Sequence, residues 1–201
     1  MREEPGGHDH ETARTASRRE EKEIQAETTD AKHSYALAAN LLLGKQQTEG
    51  AWASDMTFVP TSEGWLYVAA VMQLKTRKII GLSMGGKITQ ELASDALKDA
   101  VGRQGRPEGL IHHSDRGRQY ASYAYQDLLQ GYGMRPSMGR SGNCYDNAYL
   151  ESFFGTLKTE LAHGERKPTR GLVSGLSFAC NTCIGHHARS LLCESTDRED
   201  R

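Results

Sequence analysis

Trp65-Leu66-Tyr67-Val68-Ala69-Ala70-Val71-Met72 is the longest unbroken apolar run in the chain, and with Gln73-Leu74 it reads as one strand. A run of this length without polar alternation marks a strand covered on both faces. On its N-terminal side Glu63-Gly64 marks a turn, and Trp52 to Val59 carries the pattern of a short strand. On its C-terminal side Lys78 to Ser83 (KIIGLS) is a third. With such short connections the three strands form an antiparallel meander.

Beyond the meander the period changes. Leu92, Ala93, Ala96, Leu97 and Ala100 recur at helical spacing, with Thr89 as N-cap, and Gly102, Gly105 and Pro107 end the helix. Leu110 to Ser114 (LIHHS) reads as a strand. Ser122 opens a second helix that runs through Gln130 and closes at Gly131 and Gly133. Met134 to Ser137 is a short edge strand, Gly139 to Asn143 a loop, and Asp146 or Asn147 caps a third helix reaching about Ala162. The order β-β-β-α-β-α-β-α predicts an α/β layered domain with a mixed sheet.

The flanks read differently. Met1 to Ile24 holds seven acids and five bases, with Met1, Ala13, Ala16 and Ile24 as its only apolar residues. Residues 1–34 are therefore expected to be a disordered or charged arm. Residues 35–50, including YALAANLLL from Tyr35 to Leu43, are expected to be a helical or extended linker, 51–170 a folded core, and 171–201 a tail without a clear period.

Composition excludes several classes. Eight apolar residues in a row fall well short of the ~20 a membrane span needs, and Glu3, Glu4, Pro5 and Gly6 leave no apolar leader after Met1. The expected compartment is a reducing cytoplasm, with no need for the four Cys to pair. Lys plus Arg number 25 and Asp plus Glu 26, a formal charge of −1. A protein that grips nucleic acid by bulk positive field is thereby excluded; such a role must rest on local patches and a site.

Three carboxylates stand out by placement. Asp55 lies inside the first strand, where a charge between apolar neighbours is costly unless exposed, paired or bound to a cation. Asp115 directly follows the LIHHS strand, at the carboxyl end where open α/β sheets hold ligands. Glu151 sits near the start of the last helix, from which it can project onto the sheet. Taken singly, each is an ordinary turn, cap or surface acid. Converging, they repel one another unless divalent cations intervene. Hard oxygen ligands suit Mg2+ rather than zinc, and two such ions about 4 Å apart serve phosphodiester displacement.

Longer blocks surround these acids. His113-Ser114-Asp115-Arg116-Gly117-Arg118-Gln119-Tyr120-Ala121-Ser122 resembles the HSDxGxQYxS block of integrase-type DDE transposases of bacterial insertion sequences. Gly142-Asn143-Cys144-Tyr145-Asp146-Asn147-Ala148, followed by Glu151-Ser152-Phe153-Phe154 and Leu157-Lys158-Thr159-Glu160, is similar to the GNCYDNAxxESFFxxLKxE block of that family. Trp52-Ala53-Ser54-Asp55-Met56-Thr57 is similar to its WxTDIT block, and the 35 residues between Asp115 and Glu151 match its acid-to-acid spacing. The likeness runs from about Thr28 to Arg170.

The resemblance implies a ribonuclease H-like integrase core, a mixed five-stranded sheet flanked by helices. It implies Asp55, Asp115 and Glu151 as metal-binding acids, with two Mg2+ (or Mn2+) ions. The reaction would be DNA cleavage at an element end, then strand transfer into a target. It also implies a homo-multimer on DNA, with a helix-turn-helix partner from a separate reading frame. Lys158 lies two helical turns after Glu151, on the same face, and either contacts a DNA phosphate or is solvated. Arg116 and Arg118 either clamp phosphate or face water, Asn143 would order the loop before the last helix, and these three with Lys158 are the expected DNA-binding residues. His112, His113, Trp52, Trp65, Tyr120, Phe153 and Phe154 read as structural first.

The chain also departs from the family. Gln73 stands where an acid is usual, and the pattern breaks after Arg170, as a frame change or a degraded copy would make it. Two alternatives therefore stand beside an active transposase core. One is an inactive DNA-associating remnant. The other is a zinc-binding interaction module in the tail, where Cys180, Cys183, His186, His187 and Cys193 have suitable ligand chemistry but match no finger pattern.

Overall fold

The computed structural model describes residues 33–42, 50–106, 108–139, 148–162, 168–171 and 173. Within them the meander is present and longer than expected. β1 spans Ala51–Thr61, β2 Gly64–Gln73 and β3 Lys78–Gly85. β1 and β2 pair antiparallel in an uninterrupted register from Trp52↔Gln73 to Thr61↔Gly64. The strand continues through Pro60, which has no N–H to give to the ladder and sits exposed. Gly64 closes the hairpin at φ 100°, a left-handed conformation that glycine adopts without strain.

Helix α1 (Gln90–Gln104) is capped by Thr89, whose hydroxyl accepts from Leu92 N at 3.2 Å. It crosses back so that β4 (Ile111–Ser114) pairs parallel with β1. A short helix α2 (Arg118–Ala121), absent from the sequence-based expectation, precedes α3 (Tyr123–Gly131), which Ser122 caps. β5 (Arg135–Met138) pairs parallel with β4 at the sheet edge. α4 (Ala148–Ala162) follows. The mixed five-stranded sheet has the order β3-β2-β1-β4-β5.

Strand alternation divides the core into two layers. On one face Trp52, Ala69, Val71 and Ile80 pack against Leu92, Ala93, Ala96, Leu97 and Ala100 of α1, and against Tyr120, Tyr125 and Leu129. On the other, Ala51, Ala53, Val59, Leu66, Val68, Ala70 and Met72 pack against Leu150, Phe154 and Leu161 of α4 and against Val173. β2 is buried from Val68 through Met72 because both layers cover it, which accounts for its unbroken apolar run. Gly81 permits the close approach of α1 to β3: a Cβ there would stand 2.3 Å from Ala96 O and 2.7 Å from Ala100 Cβ.

Residues 33–42 are extended rather than helical. His33 Nε2 lies 2.8 Å from Arg116 O, and Leu41 N donates to Ser137 Oγ at 2.9 Å, so this stretch runs alongside β5 and the turn after β4. At the far end Arg170 donates to Trp65 O at 3.1 Å. The expected disordered arm (but for its last two residues), the loop residue Asn143 with Asp146 and Asn147, and the tail cysteines and histidines lie outside the described residues.

Candidate active site

The pairing of β1 with β4 brings two acids together. The ladder runs Ala51↔Ile111, Trp52↔His112, Ala53↔His113. Two residues further along each parallel strand come Asp55 and Asp115, at the same level where the strands part. Neighbouring strands lie about 4.8 Å apart, so the two backbones are adjacent here although 59 residues separate the acids in sequence. Both carboxylates first bond locally. Met56 N donates to Asp55 Oδ1 at 2.7 Å, and Gly117 N donates to Asp115 Oδ1 at 2.8 Å.

Gly117 is required by that second turn. A Cβ at this position would meet Asp115 Oδ1 at 2.9 Å and Gln119 Oε1 at 3.2 Å, so a larger residue would displace the carboxylate.

Glu151 follows buried Leu150 in the first turn of α4 and is itself exposed. Anchoring of Leu150 and Phe154 against the sheet sets its height over β1. The electrostatics place the three acids in one neighbourhood. Asp55 keeps some exposure as a residue, yet its carboxyl is largely enclosed, and its pKa is pushed from 3.8 to about 7. Burial is the largest cause. The like charge of Asp115 comes next, the Met56 N–H acts against it, Glu151 adds to the rise and Lys158 opposes it.

Lys158 thus reaches the acids, and it does so by an unexpected route. Its Nζ lies 4.7 Å from the centre of the Phe58 ring. Phe58 and Asp55 are three residues apart on β1 and so alternate to opposite faces of the strand, and Lys158 interacts with both. Burial lowers the Lys158 pKa and the Asp55 charge raises it. Arg116 is half-buried, and its Nε donates to Gly139 O at 2.7 Å, tying the turn after β4 to the end of β5. Arg118, at the start of α2, is exposed.

Beneath the acids runs a buried polar chain that sequence reasoning did not find. His112 Nε2 lies 2.8 Å from Ser54 Oγ and 3.3 Å from Tyr125 Oη. Burial, with the charge of His113, holds the His112 pKa down at about 3, so the ring is neutral. His113 Nδ1 bonds Ser137 Oγ at 2.9 Å and ties β4 to β5. Both histidines are structural, as their alternation in a buried strand suggested. Tyr120 is 1% exposed and packs edge-on against Tyr125 at 5.3 Å.

Among the described residues, no group of three or more His, Cys, Asp or Glu side chains stands close enough together to hold a metal ion. The acids are electrostatic neighbours, and burial with mutual repulsion outweighs the Met56 N–H and Lys158 at Asp55. That donor set fits a hard divalent cation better than zinc, because it is all oxygen and because the observed penalty is one that a cation would remove.

The mixed sheet thus carries one acid within β1, one just past the end of its parallel neighbour β4, and a third on the helix α4. Comparison with known proteins identifies the family. Residues 45–144 match the profile of the Integrase core domain family. The chain is 46% identical over 140 residues to the insertion element IS600 uncharacterized 31 kDa protein of Shigella sonnei, covering 68% of this chain and 52% of that protein. It is 43% identical over 154 residues to transposase InsF for insertion sequence IS3A of Escherichia coli (strain K12), covering 75% of this chain and 54% of that one. The chain spans about half the length of these curated relatives.

Solved structures show the same fold at low identity. The catalytic core domain of BIV integrase superposes with a TM-score of 0.52 at 17% identity, over 74% of this chain and 96% of that one. A chain of the simian T-cell lymphotropic virus intasome in complex with PP2A regulatory subunit B56 gamma gives 0.59 at 17% identity, over 81% and 59%. The chain belongs to the integrase core family and carries a transposase-type integrase core of the bacterial insertion-sequence kind. No helix among the described residues is long and apolar enough to cross a membrane.

Proposed function

We propose that residues 51–170 act as the catalytic core of an insertion-sequence transposase that cleaves DNA and transfers the free strand into a target. Asp55, Asp115 and Glu151 are its carboxylate set, working with Mg2+ or Mn2+, two ions in the active complex. The observation that carries this reading is the enclosed Asp55 carboxyl, raised to about 7 by burial and by two neighbouring acids. A carboxylate kept at such a cost in the middle of a strand calls for a positive partner.

When bound, divalent cations would activate the attacking oxygen and stabilise the departing one. The chain itself supplies position. β1 and β4 hold two acids level, α4 brings the third across, and the Gly117 turn fixes Asp115. Lys158, stretched over Phe58 toward Asp55, is placed to meet a DNA phosphate beside the scissile bond, and Arg118 can meet another. Arg116 and Asn143 are the remaining DNA-binding residues of this reading. The partners are element-end and target DNA, with a homo-multimer forming on them and a helix-turn-helix segment from another reading frame choosing the ends. The compartment is the bacterial cytoplasm.

The test is nicking of supercoiled plasmid and strand transfer of a labelled oligonucleotide duplex, with Mg2+ or Mn2+, by the parent chain and Asp115→Asn. Activity in the parent and its loss in the variant support the reading. Equal activity in both refutes the assignment of Asp115. DNA binding without cleavage by either identifies an inactive remnant.

A further inference from the structure

Tyr120 was read from the sequence as a core aromatic, and its ring is one. Its hydroxyl is not accounted for. The residue is 1% exposed, and the oxygen has no hydrogen-bond partner among the described residues. A phenol oxygen enclosed without a partner costs about 1–3 kcal/mol, and buried tyrosines normally find one. The neighbouring Tyr125 does so, through His112 and Ser54.

Its surroundings suggest what the missing partner is. Tyr120 stands in α2, five residues after Asp115, with its N–H donating to Gly117 O at 3.0 Å in the same turn that holds the Asp115 carboxylate. Burial raises its pKa first, and Tyr125, Asp55 and Asp115 raise it further, so the hydroxyl lies within the field of both acids. Each of those carboxylates is drawn to a backbone N–H of its own turn through Oδ1.

We propose that Tyr120 is a positioning residue whose hydroxyl donates to the Asp55–Asp115 carboxylate pair when a divalent cation draws that pair together. The inference rests on the reading of these acids as metal ligands. It gives the tyrosine two states, unpartnered without cation and hydrogen-bonded with it. A hydroxyl that already serves a structural bond has only one.

The experiment uses the full chain as parent, Tyr120→Phe and Asp115→Asn, with free Mn2+ counted by electron paramagnetic resonance and thermal unfolding followed in EDTA. Phenylalanine keeps the ring and its packing. The expected result is Mn2+ binding by the parent, about tenfold weaker binding by Tyr120→Phe, and a melting temperature in EDTA equal to or above that of the parent. Parental Mn2+ affinity in Tyr120→Phe, with Asp115→Asn impaired, overturns the role of Tyr120 and leaves the metal site standing. A lower melting temperature for Tyr120→Phe in EDTA also overturns it, since the hydroxyl would then be bonded without metal. Failure of the parent to bind Mn2+, or binding by Asp115→Asn as tight as the parent's, overturns the metal reading itself and the inference with it.

Discussion

Replacing Asp55 by asparagine stabilises the metal-free fold at pH 8. Asparagine keeps the shape and the acceptor for Met56 N but removes the charge that burial and Asp115 oppose. The gap between 3.8 and about 7, at about 1.4 kcal/mol per pH unit, caps the cost of ionising Asp55 in the fold at roughly 4 kcal/mol. Residual hydration of a partly exposed residue reduces the realised gain to about 1–2 kcal/mol. For a chain of this size that is a rise in Tm of about 3–8 °C.

The pH dependence has a definite sign. The folded-state value lies above the unfolded one, so the parent's contribution from Asp55 is fully present below 3.8 and is lost as pH rises through about 7. His112 runs the other way. Its pKa is held near 3 against 6.5, so its contribution is present above 6.5 and is lost as pH falls toward 3. The two slopes oppose each other between 3.8 and 6.5, and only the difference between parent and variant isolates Asp55. Melting curves in EDTA from pH 4.5 to about 8 are expected to converge at the acid end and separate toward the alkaline end. Mg2+ at pH 8 is expected to raise the Tm of the parent more than that of Asp55→Asn. A variant less stable than the parent at pH 8, or a gap that does not grow with pH, refutes the placement of Asp55 as an enclosed acid repelled by its neighbours.

Two further substitutions probe different parts of the fold. Gly81→Ala sets a Cβ against Ala96 O and Ala100 and is expected to cost about 2–4 kcal/mol, seen as a lower urea midpoint; an unchanged midpoint would mean that α1 does not lie so close to β3. Lys158→Met keeps the stem over Phe58 and removes the charge, so it should weaken duplex binding uniformly across sequences and reduce the salt slope by about 1, with Tm nearly unchanged. An unaltered slope would show that the lysine does not meet phosphate.

The strands and long helices were legible because their signals are local and strong. The apolar run of β2 could only be a doubly covered strand, and Thr89 with Leu92 gave the start of α1 to within a residue. α2 escaped because four residues, Arg118–Ala121, are too few to show a period. β1 was read short because Pro60 looks like a strand end, whereas an exposed position in a hairpin tolerates it. Within the site, the strand placement of Asp55 and Asp115 pointed to chemistry, but their sharing one level depends on a parallel register that no local pattern encodes. The same holds for Lys158. Helical spacing set it on one face with Glu151, but its contact with Phe58 is a tertiary feature that no local pattern encodes. The Ser54–His112–Tyr125 chain and the Tyr120 hydroxyl were hidden for another reason. Each residue type has a sufficient explanation as core filler, and only the enclosed oxygen and nitrogen positions reveal more.

The parallel register of β1 and β4 has a consequence during synthesis. A nascent chain that has left the ribosome only as far as α1 presents Asp55 alone, on a strand whose β4-side neighbour has not yet been made. Asp115 joins it after α1 has been made and folded back, and Glu151 comes later still with α4. Unfinished or clipped products that stop before α4 therefore carry at most two of the three acids. The three acids are complete only once α4 has been made, an order set by the sequence of the elements.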